Sequence, residues 1–566
     1  MKVIHRLNSF LKNLLRIPDD HLSTGSVRLK IISNIVLIGF VLVIIRVGDL
    51  TIMQNQYDIA QPSQPSLEKT FQTRANIIDR NGVLLATTLK TPSLYADPTF
   101  LNNKAFLANQ LEQILAIENV LPKLNKKGRF IWIKRGITPE QQKKINDLGS
   151  PGLAFKTEER RVYPHGNLLS HLVGYTSIDG NGLAGIELEY DDRLKSSTDP
   201  LTLNLDVRVQ YALAKSLVKQ KEKFSALAAM GGIIDVQTGE IIAAVSLPDF
   251  DPHNSGSAPS NALFNRFSSG VYEMGSTFKL FSTANYIQDT GKPFSTTFDA
   301  REPLKEGRFK INDFHAEKRV LTLPEVFIHS SNIGSALMGK EIGGESMQKF
   351  YSDLGLMGSV KTDFPAIGKP LTPKKWRNVN TLTASYGHGI AVSPIHLLQA
   401  TAIIANGGMR TGLSFAKHDK SSDAIITRVV SPSTAFKMQQ LLRLNVVHGS
   451  GAQANVDGYM VGGKTGTSEK VTSQGYDKDK LLSSFIGVFP IDQPRYAILA
   501  ILDEPQGIKS THGYATGGWT AAPAVGDVVS DMVRILGISP SQNDHNMIAG
   551  LDRYLKKKPS ITPASY

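Results

Sequence analysis

Three short motifs whose side chains suit acyl transfer stand in one order along the 566-residue chain. They are Ser276-Thr277-Phe278-Lys279, Ser330-Ser331-Asn332 and Lys464-Thr465-Gly466-Thr467. Together they supply a serine nucleophile, a lysine that can take its proton, and a second serine and lysine that can relay it. The threonine hydroxyls of the third motif suit a substrate carboxylate. The ordered set therefore predicts acyl transfer through a serine that a lysine activates.

The first motif opens a mostly apolar segment that is predicted to be helical through Ile287. Ser276 and Lys279 would lie on one face of this helix, so the amine can reach the hydroxyl. A serine at a helix N-terminus also has free backbone N–H groups beside it, which can stabilise an oxyanion. Lys279 acts as a base only when it is neutral. Burial would lower its pKa, and so would a neighbouring cation, for which Lys464 is the candidate.

The alternative interpretation of the first motif is a helix-capping serine beside an unrelated lysine. The same Ser-x-x-Lys spacing recurs at Ser66–Lys69, Ser216–Lys219 and Ser414–Lys417. The prediction therefore depends on the three motifs occurring together.

The second motif lies on a predicted connection before a helix, where Ser330 would relay a proton and Asn332 would hold a substrate amide. A pair of helix-capping residues is the alternative there. In the third motif, glycines within a predicted strand would let a peptide lie along a sheet edge. The Lys464 charge and the hydroxyls of Thr465 and Thr467, which flank Gly466, would then bind a terminal carboxylate.

A phosphate-binding loop is the rival interpretation of the third motif. The required spacing is present at Gly458, Gly463, Lys464 and Thr465. However, a phosphate loop follows a strand and precedes a helix. No clear strand precedes this match, and the sequence after it is strand-like rather than helical. Nucleotide binding is therefore disfavoured.

Composition narrows the function classes further. The chain has no cysteine, which excludes disulfides, thiol catalysis and cysteine metal sites, and we expect neither a metal nor a cofactor. The net charge of +13 would allow a polyanionic partner, but no compact Lys/Arg block with interleaved aromatic residues is present, so nucleic acid is not an expected partner.

An apolar segment near the N-terminus predicts a membrane anchor. Residues 29–50 would span about 33 Å as a helix, close to the thickness of a bilayer core. The basic residues that precede its apolar part are Lys2, Arg6, Lys12, Arg16, Arg28 and Lys30. The positive-inside rule therefore places residues 1–28 in the cytoplasm and the rest of the chain across the membrane. A cleaved signal peptide is the alternative.

The remainder is predicted to form two domains. A stalk and a pedestal would occupy 51–200, with no catalytic constellation. Residues 201–540 would form an α+β domain, because strands are predicted at both of its ends (201–205, 230–234, 240–246, 482–489 and 496–502) with helices between them. The polar tail, 541–566, is expected to be disordered.

With these residues in view, the chain resembles the class B penicillin-binding proteins. The further matching segments are Arg74–Gly82, Gly182–Glu187, Ser484–Gly487 and Gly517–Pro523, and Ala75 departs from the glycine that most members carry. The resemblance implies the fold of the penicillin-binding proteins and serine β-lactamases on a dimerisation-type pedestal. It also implies a D,D-transpeptidase that cross-links peptidoglycan stem peptides derived from lipid II and that β-lactams acylate.

In that family's chemistry, Ser276 would attack the penultimate D-alanine carbonyl and Lys279 would act as base. Ser330 and Lys464 would relay the proton, and the backbone N–H groups of Ser276 and Thr467 would form the oxyanion hole. Tyr272 to Gly275 resemble the division-specific, FtsI-type members. That likeness implies the bacterial inner membrane, a periplasmic catalytic domain, and as partners an FtsW-type glycosyltransferase and other division proteins.

Three alternatives stay open at this point. An elongation-type transpeptidase would use the same chemistry. A β-lactam sensor would be acylated without turnover, although sensors usually carry several membrane helices. A non-catalytic scaffold of the division complex would not need Ser276 at all.

Overall fold

The computed structural model describes residues 24–48, 74–417, 427–472, 475–541 and 547–556. The chain divides into two compact units, Met1–Phe71 and Gln72–Tyr566. In the first unit, Thr24–Gly48 forms a helix, α1. Within the described residues, the structure contains no helix that is both long and apolar enough to cross a membrane. The span over 29–50 therefore stays a prediction, and residues 1–23 and 49–73, with most of the predicted cytoplasmic segment and stalk, lie outside the described residues.

The second unit begins with a region built on a five-stranded sheet. Its elements are β1 (Ile77–Ile78), β2 (Leu84–Ala96), α2 (Lys104–Leu115), α3 (Val120–Leu124), β3 (Ile131–Lys134), α4 (Pro139–Asn146), β4 (Leu153–Val162), α5 (Gly185–Glu189), α6 (Asp191–Ser196) and β5 (Leu201–Thr202). The strand order is β3-β2-β1-β5, with β4 paired to β2. The sequence interpretation placed 201–205 at the start of the second domain, but Leu201–Thr202 pairs in parallel with β1 and so belongs to this first sheet.

A buried ion cluster holds this first region together. Glu187 on α5 is fully buried and accepts from Arg74 Nε at 2.5 Å and from Arg161 Nε at 2.6 Å. Both arginine side chains are buried as well. The three charges come from the beginning of the region, from β4 and from α5, so one carboxylate joins segments that are far apart in the chain.

Glu187→Gln is expected to lower the free energy of unfolding by about 3 kcal/mol or more, because it leaves the buried Arg161 guanidinium without its anion and Arg74 with Asp191 alone. Urea denaturation of the purified protein measures the change. Glu189→Gln, an exposed carboxylate two residues further on, is the matched control. Equal unfolding midpoints for the two variants would contradict the structural role of the cluster.

The rest of the second unit is an α+β domain. Its elements are α7 (Val207–Lys223), β6 (Ala228–Asp235), β7 (Ile241–Leu247), α8 (Ser260–Leu263), α9 (Lys279–Thr290), β8 (Thr297–Asp299), β9 (Leu304–Glu306), β10 (Phe309–Ile311), β11 (Val320–Thr322), α10 (Leu323–Ile328), α11 (Asn332–Asp353), α12 (Asn378–Ala384), α13 (Pro394–Ala405), β12 (Met409–Arg410), β13 (Thr427–Arg428), α14 (Pro432–His448), β14 (Gly462–Thr472), β15 (Gly475–Phe489), β16 (Tyr496–Asp503) and α15 (Ala521–Leu536).

An antiparallel sheet in the order β14-β15-β16-β6-β7 is the centre of this domain. Consecutive strand residues are buried in different cores, as side-chain alternation in a strand requires. Ile498 packs with α7 and α15, whereas Leu499 packs with the core that includes α9 and α13. The strands predicted from 230 onward are confirmed, and β14, which carries the third motif, is an edge strand.

The C-terminal segment contradicts the expectation of a disordered tail over residues 547–556. Leu551 is buried against Ile328 and Leu444. The Thr322 hydroxyl donates to the carbonyl of Tyr554 at 2.7 Å, and the backbone N–H of Lys556 donates to Glu325 at 2.7 Å. The physical reason is a row of apolar residues at intervals of four, Met547, Leu551 and Leu555, within a segment that is polar on average. The segment therefore supports α10, the helix that leads into the second motif.

Leu551→Ala is expected to cost about 2–4 kcal/mol of folding free energy, since it empties a buried site between two helices. Thermal unfolding of the purified protein would detect this loss. Asp552→Asn changes an exposed neighbour and should leave the midpoint within the range of surface substitutions. A midpoint unchanged in Leu551→Ala would mean that the segment is not held against the domain.

Candidate active site

The predicted nucleophile lies on a short turn that is pressed against the edge strand. Gly275 to Phe278 form a single 3₁₀ turn, and α9 starts directly after it at Lys279. Gly275 has a left-handed φ of +53°, and a Cβ there would lie 2.6 Å from the carbonyl oxygen of Thr467 on β14. Only glycine allows so close an approach, which brings Ser276 to the third motif.

Lys279 joins the first motif to the second. Its side chain is fully buried. Its Nζ lies 2.8 Å from Ser276 Oγ, 2.7 Å from the Ser330 carbonyl oxygen, 3.2 Å from Ser330 Oγ and 2.7 Å from Asn332 Oδ1. The amine that sequence spacing placed near the nucleophile is therefore within hydrogen-bonding distance of it.

These partners suit a neutral amine. The Ser330 carbonyl and Asn332 Oδ1 can only accept, so together they use the two N–H groups of a neutral lysine. The remaining lone pair can accept from the Ser276 hydroxyl, which is the arrangement that a general base requires. Burial lowers the pKa of Lys279 well below its usual value, and the charge of Lys464 lowers it further, while Asp313 acts in the opposite direction.

Ser330 is held in a strained backbone conformation between α10 and α11. Its φ is +56°, which a residue with a side chain rarely adopts. The conformation directs both its carbonyl and its hydroxyl toward the two lysines. The next residue, Ser331, caps α11 by accepting from the backbone of Gly334. The capping interpretation is thus confirmed for Ser331, whereas Ser330 contacts the lysines.

Lys464 reaches the same point from the edge strand. Its Nζ donates to Ser330 Oγ at 3.0 Å and to the Thr465 carbonyl at 3.2 Å, and it lies 5.8 Å from the Phe327 ring centre. Burial lowers the pKa of Lys464 to about 7. Because two buried ammonium groups disfavour each other's charge, we expect the pair to hold one proton at neutral pH. The face of the Phe327 ring favours the presence of that proton on Lys464.

The remaining residues of the third motif lie further along β14. Thr465 Oγ1 is 2.6 Å from Ser450 Oγ, and Thr467 Oγ1 accepts from the backbone N–H of Gly517 at 3.2 Å. At Gly466, a Cβ would lie 2.7 Å from the carbonyl oxygen of Met274, so this glycine admits the nucleophile turn. Because the motif is a strand that leads into another strand, the phosphate-loop interpretation is wrong.

Hydrogen bonds link five of the predicted site residues into one cluster, namely Ser276, Lys279, Ser330, Asn332 and Lys464. The Ser-x-x-Lys pairs that begin at Ser216 and Ser414 are built differently. Ser216 donates to the Ala524 carbonyl, and Ser414 accepts from Asn204. No group of three or more histidine or acidic side chains is placed to bind a metal in the part of the chain that the structure describes.

Sequence reasoning missed several groups around this cluster. Asp313 accepts from the Ser331 hydroxyl at 2.8 Å and from the backbone of Ile333 at 2.9 Å, which fixes the second motif. Nothing in the sequence around Asp313 indicates this role. Glu273 and His388 lie close to the nucleophile turn, and only the position of Glu273, three residues before Ser276, could have drawn attention to it.

Comparisons with known proteins agree with this geometry. Residues 229–530 match the penicillin binding protein transpeptidase domain, and residues 69–211 match the penicillin-binding protein dimerisation domain. A probable peptidoglycan D,D-transpeptidase FtsI of Caulobacter vibrioides is 40% identical over 482 residues, which cover 82% of each chain. The peptidoglycan D,D-transpeptidase FtsI of Escherichia coli is 27% identical and covers 92% of this chain and 94% of its own.

A solved structure shares the fold. The peptidoglycan synthetase from Bifidobacterium adolescentis superimposes with a TM-score of 0.65 at 23% identity, covering 83% of this chain and 96% of that one.

Proposed function

Because this chain belongs to the class B penicillin-binding proteins of the FtsI type, we propose that it is a peptidoglycan D,D-transpeptidase that cross-links stem peptides during septal wall synthesis. The observation that carries the proposal is the contact of the buried Lys279 amine with Ser276 Oγ at 2.8 Å, beside a second buried lysine that reaches Ser330. A serine poised against a neutral amine is an activated nucleophile.

In the acylation step, Lys279 takes the hydroxyl proton while Ser276 Oγ attacks the carbonyl of the penultimate D-alanine. A C–O bond forms, the bond to the last D-alanine breaks, and the leaving amine receives a proton that Ser330 and Lys464 relay. The backbone N–H groups of Ser276 and Thr467 stabilise the oxyanion. The acyl-enzyme then passes its acyl group to an amine of a neighbouring stem peptide, and β-lactams acylate Ser276 as donor mimics.

Donor recognition uses the open edge of β14. A peptide can add to this edge strand through backbone hydrogen bonds. The hydroxyls of Thr465 and Thr467 and the charge of Lys464 bind the terminal carboxylate, while Gly466 keeps the strand close to the nucleophile turn. Asn332, whose Oδ1 accepts from Lys279 and whose Nδ2 donates to the Asn312 carbonyl at 3.0 Å, both orients the base and presents an amide to the donor.

The proposal includes a single-pass anchor in the bacterial inner membrane over 29–50, with the N-terminus cytoplasmic and the catalytic domain periplasmic. The helical conformation of Thr24–Gly48 and the exposure of its described apolar side chains from Ile32 to Ile44 support it. The matched regions comprise a transpeptidase and a dimerisation domain. The proposed partners are therefore a separate FtsW-type glycosyltransferase and other division proteins.

The acylation chemistry is tested on the full-length protein in detergent. Incubation with benzylpenicillin should give a stable adduct with the mass of the intact drug, and proteolytic mapping should locate it on the peptide that contains Ser276. A donor thioester with a terminal D-alanyl group should be consumed, and its acyl group should appear in an amide when an amine is supplied. A well-folded protein that forms no adduct would refute the proposal and would favour the scaffold interpretation.

The division role is tested in cells. Depletion of the protein should give filaments if it acts at the septum, whereas round cells would indicate the elongation-type alternative. Complementation by the wild-type chain is the control.

Lys464→Met is expected to lower the rate constant of acylation by about 10²–10⁴-fold, because it removes the proton relay. It also removes the charge that lowers the pKa of Lys279, so that this pKa rises. Since Lys279 acts only when neutral, the acidic limb of the pH–rate profile should move to higher pH. Acylation by a fluorescent penicillin, measured across pH, gives both the rate constant and the position of the acidic limb.

Lys480→Met, on the exposed part of β15, is the control for the Lys464 variant. A slower Lys464→Met variant with an unmoved acidic limb would show that the two lysines do not influence each other's protonation.

A further inference from the structure

A cleft of about 560 Å³ adjoins the nucleophile turn on the side of the distal part of β14. Glu273 forms part of one wall, and residues 468–471 of β14 form another. Leu371 and Val471 contribute exposed apolar side chains, 65% and 63% accessible. The cleft thus combines an aliphatic surface with the carboxyl groups of Glu273 and Glu469 and with the Lys470 ammonium, which is paired with Asp503 and Glu504. No residue of the proposed proton relay lines it.

The Glu273 carboxylate has neutral partners. It accepts from the backbone N–H of Gly389 at 3.0 Å and from the Tyr476 hydroxyl at 3.1 Å. His388 Nδ1 lies 3.8 Å away, and burial lowers the pKa of this histidine to about 4, so it is neutral near pH 7. No lysine or arginine of the described chain pairs with Glu273. Burial raises the pKa of Glu273, and its two donors oppose that rise.

This carboxylate is rigidly attached to the reacting centre. Glu273 precedes Ser276 by three residues, and its carbonyl accepts from the Ser468 hydroxyl on β14 at 2.6 Å. Any group held by Glu273 therefore has a fixed position relative to the ester that forms on Ser276. A partly exposed anion without a counter-cation, on the wall of a cleft beside an acyl-enzyme, is suited to binding a cation.

We propose that this cleft is the acceptor subsite and that Glu273 binds the primary ammonium group of the incoming aliphatic side chain; the inference rests on the proposed transpeptidase function. A primary alkyl amine has a pKa near 10 and arrives as a cation at neutral pH. The donor carboxylate binds at Lys464, whereas the acceptor cation binds at Glu273. Opposite charges thus direct the two substrate strands to different sides of Ser276.

The transfer step follows from this placement. The bound ammonium first loses one proton to water, and the neutral nitrogen attacks the ester carbonyl of the acyl-enzyme. A C–N bond forms, the C–O bond to Ser276 breaks, and the second proton of the attacking nitrogen passes through Lys279 to Ser276 Oγ. The products are the amide, the free enzyme and the one proton released to water.

The experiment measures how the acyl-enzyme of the full-length protein is partitioned between acceptors. A D-alanyl thioester supplies the acyl group, and the acceptors are a peptide with a lysine-type side chain, which is cationic, and hydroxylamine, which is neutral. Glu273→Gln is expected to raise the KM of the cationic acceptor about tenfold or more, the loss of one charge-assisted contact. Transfer to hydroxylamine and acylation by benzylpenicillin should stay within twofold of wild type.

Two further variants complete the design. Glu273→Asp keeps the charge and should retain part of the preference for the cationic acceptor. Glu345→Gln, an exposed carboxylate on α11, should behave as wild type. An equal loss of transfer activity with both acceptors would assign Glu273 a merely structural role and overturn the proposal. An unchanged KM for the cationic peptide would overturn it as well.

A competition on the wild-type protein does not depend on any variant folding. A trimethyl-lysine peptide carries the charge but cannot attack the ester, so it should inhibit transfer to the lysine-type peptide and not transfer to hydroxylamine. A norleucine peptide of similar shape should not inhibit. Failure of the trimethylated peptide to compete would overturn the acceptor subsite alone, whereas failure of the thioester and benzylpenicillin to acylate would refute the proposed function itself.

Discussion

Replacing Ser276 by alanine is expected to lower kcat/KM for acylation by at least about 10⁴-fold, because the group that forms the acyl bond is removed. The substitution leaves Lys279 with its carbonyl and amide acceptors, so the site should keep its structure. Intact-mass measurement after exposure to benzylpenicillin should show no adduct, and the thioester donor should not be consumed above the uncatalysed rate.

Ser414→Ala is the matched control for this variant, since Ser414 also stands three residues before a lysine but accepts from Asn204. It should be acylated like wild type. An adduct that persists in Ser276→Ala on another serine would show that the nucleophile is assigned to the wrong motif. Normal septa in depleted cells that express Ser276→Ala would support the scaffold interpretation instead.

Replacing Lys279 is expected to have the next largest effect, a loss of about 10³–10⁴-fold in the acylation rate constant. Methionine keeps the volume of the side chain but has no basic nitrogen. Arginine keeps a positive charge, yet it cannot be deprotonated in a protein and so cannot act as base. Both Lys279→Met and Lys279→Arg should therefore be slow, whereas a purely electrostatic role of Lys279 would be met by arginine.

The measurement is the rate constant of acylation by a fluorescent penicillin near neutral pH. Lys340→Met, an exposed lysine on α11, is the control and should react as wild type does. An arginine variant that keeps more than a tenth of the wild-type rate would argue against Lys279 as the base. The circular dichroism spectra of both variants should match that of wild type, so that a slow reaction reflects the loss of the base and not a loss of folding.

The proposed site separates the two halves of the reaction by charge. The donor meets buried Lys464 and the hydroxyls of Thr465 and Thr467 on β14, while the acceptor meets the Glu273 carboxylate in a neighbouring cleft. The same strand edge therefore serves both substrates through different residues. For this reason the Ser276, Lys279 and Lys464 variants should fail at acylation, whereas Glu273→Gln should fail only when a cationic amine must be bound.

Local patterns in the sequence determined much of the site and of the fold. Ser276 and Lys279 are three residues apart at the start of an apolar helix, and helical geometry alone brings their side chains together. The continuous apolar runs that became β6, β7 and β16, bounded by turn residues, predicted buried strands. The glycines of the third motif indicated a close approach, which the contact of Gly466 with the Met274 carbonyl explains.

Other features were decided only by the tertiary structure, because they depend on contacts between distant parts of the chain. Ser330 reaches Lys279 across 51 residues of sequence through a left-handed backbone conformation, and no local pattern predicts that conformation for a serine. The role of Asp313 and the cleft at Glu273 also arise from segments that meet only in the folded domain. Leu551 is buried because Ile328 and Leu444 lie beneath it, although its own segment is polar. Sequence periodicity reports which residues are turned inward, whereas their partners depend on how the elements pack.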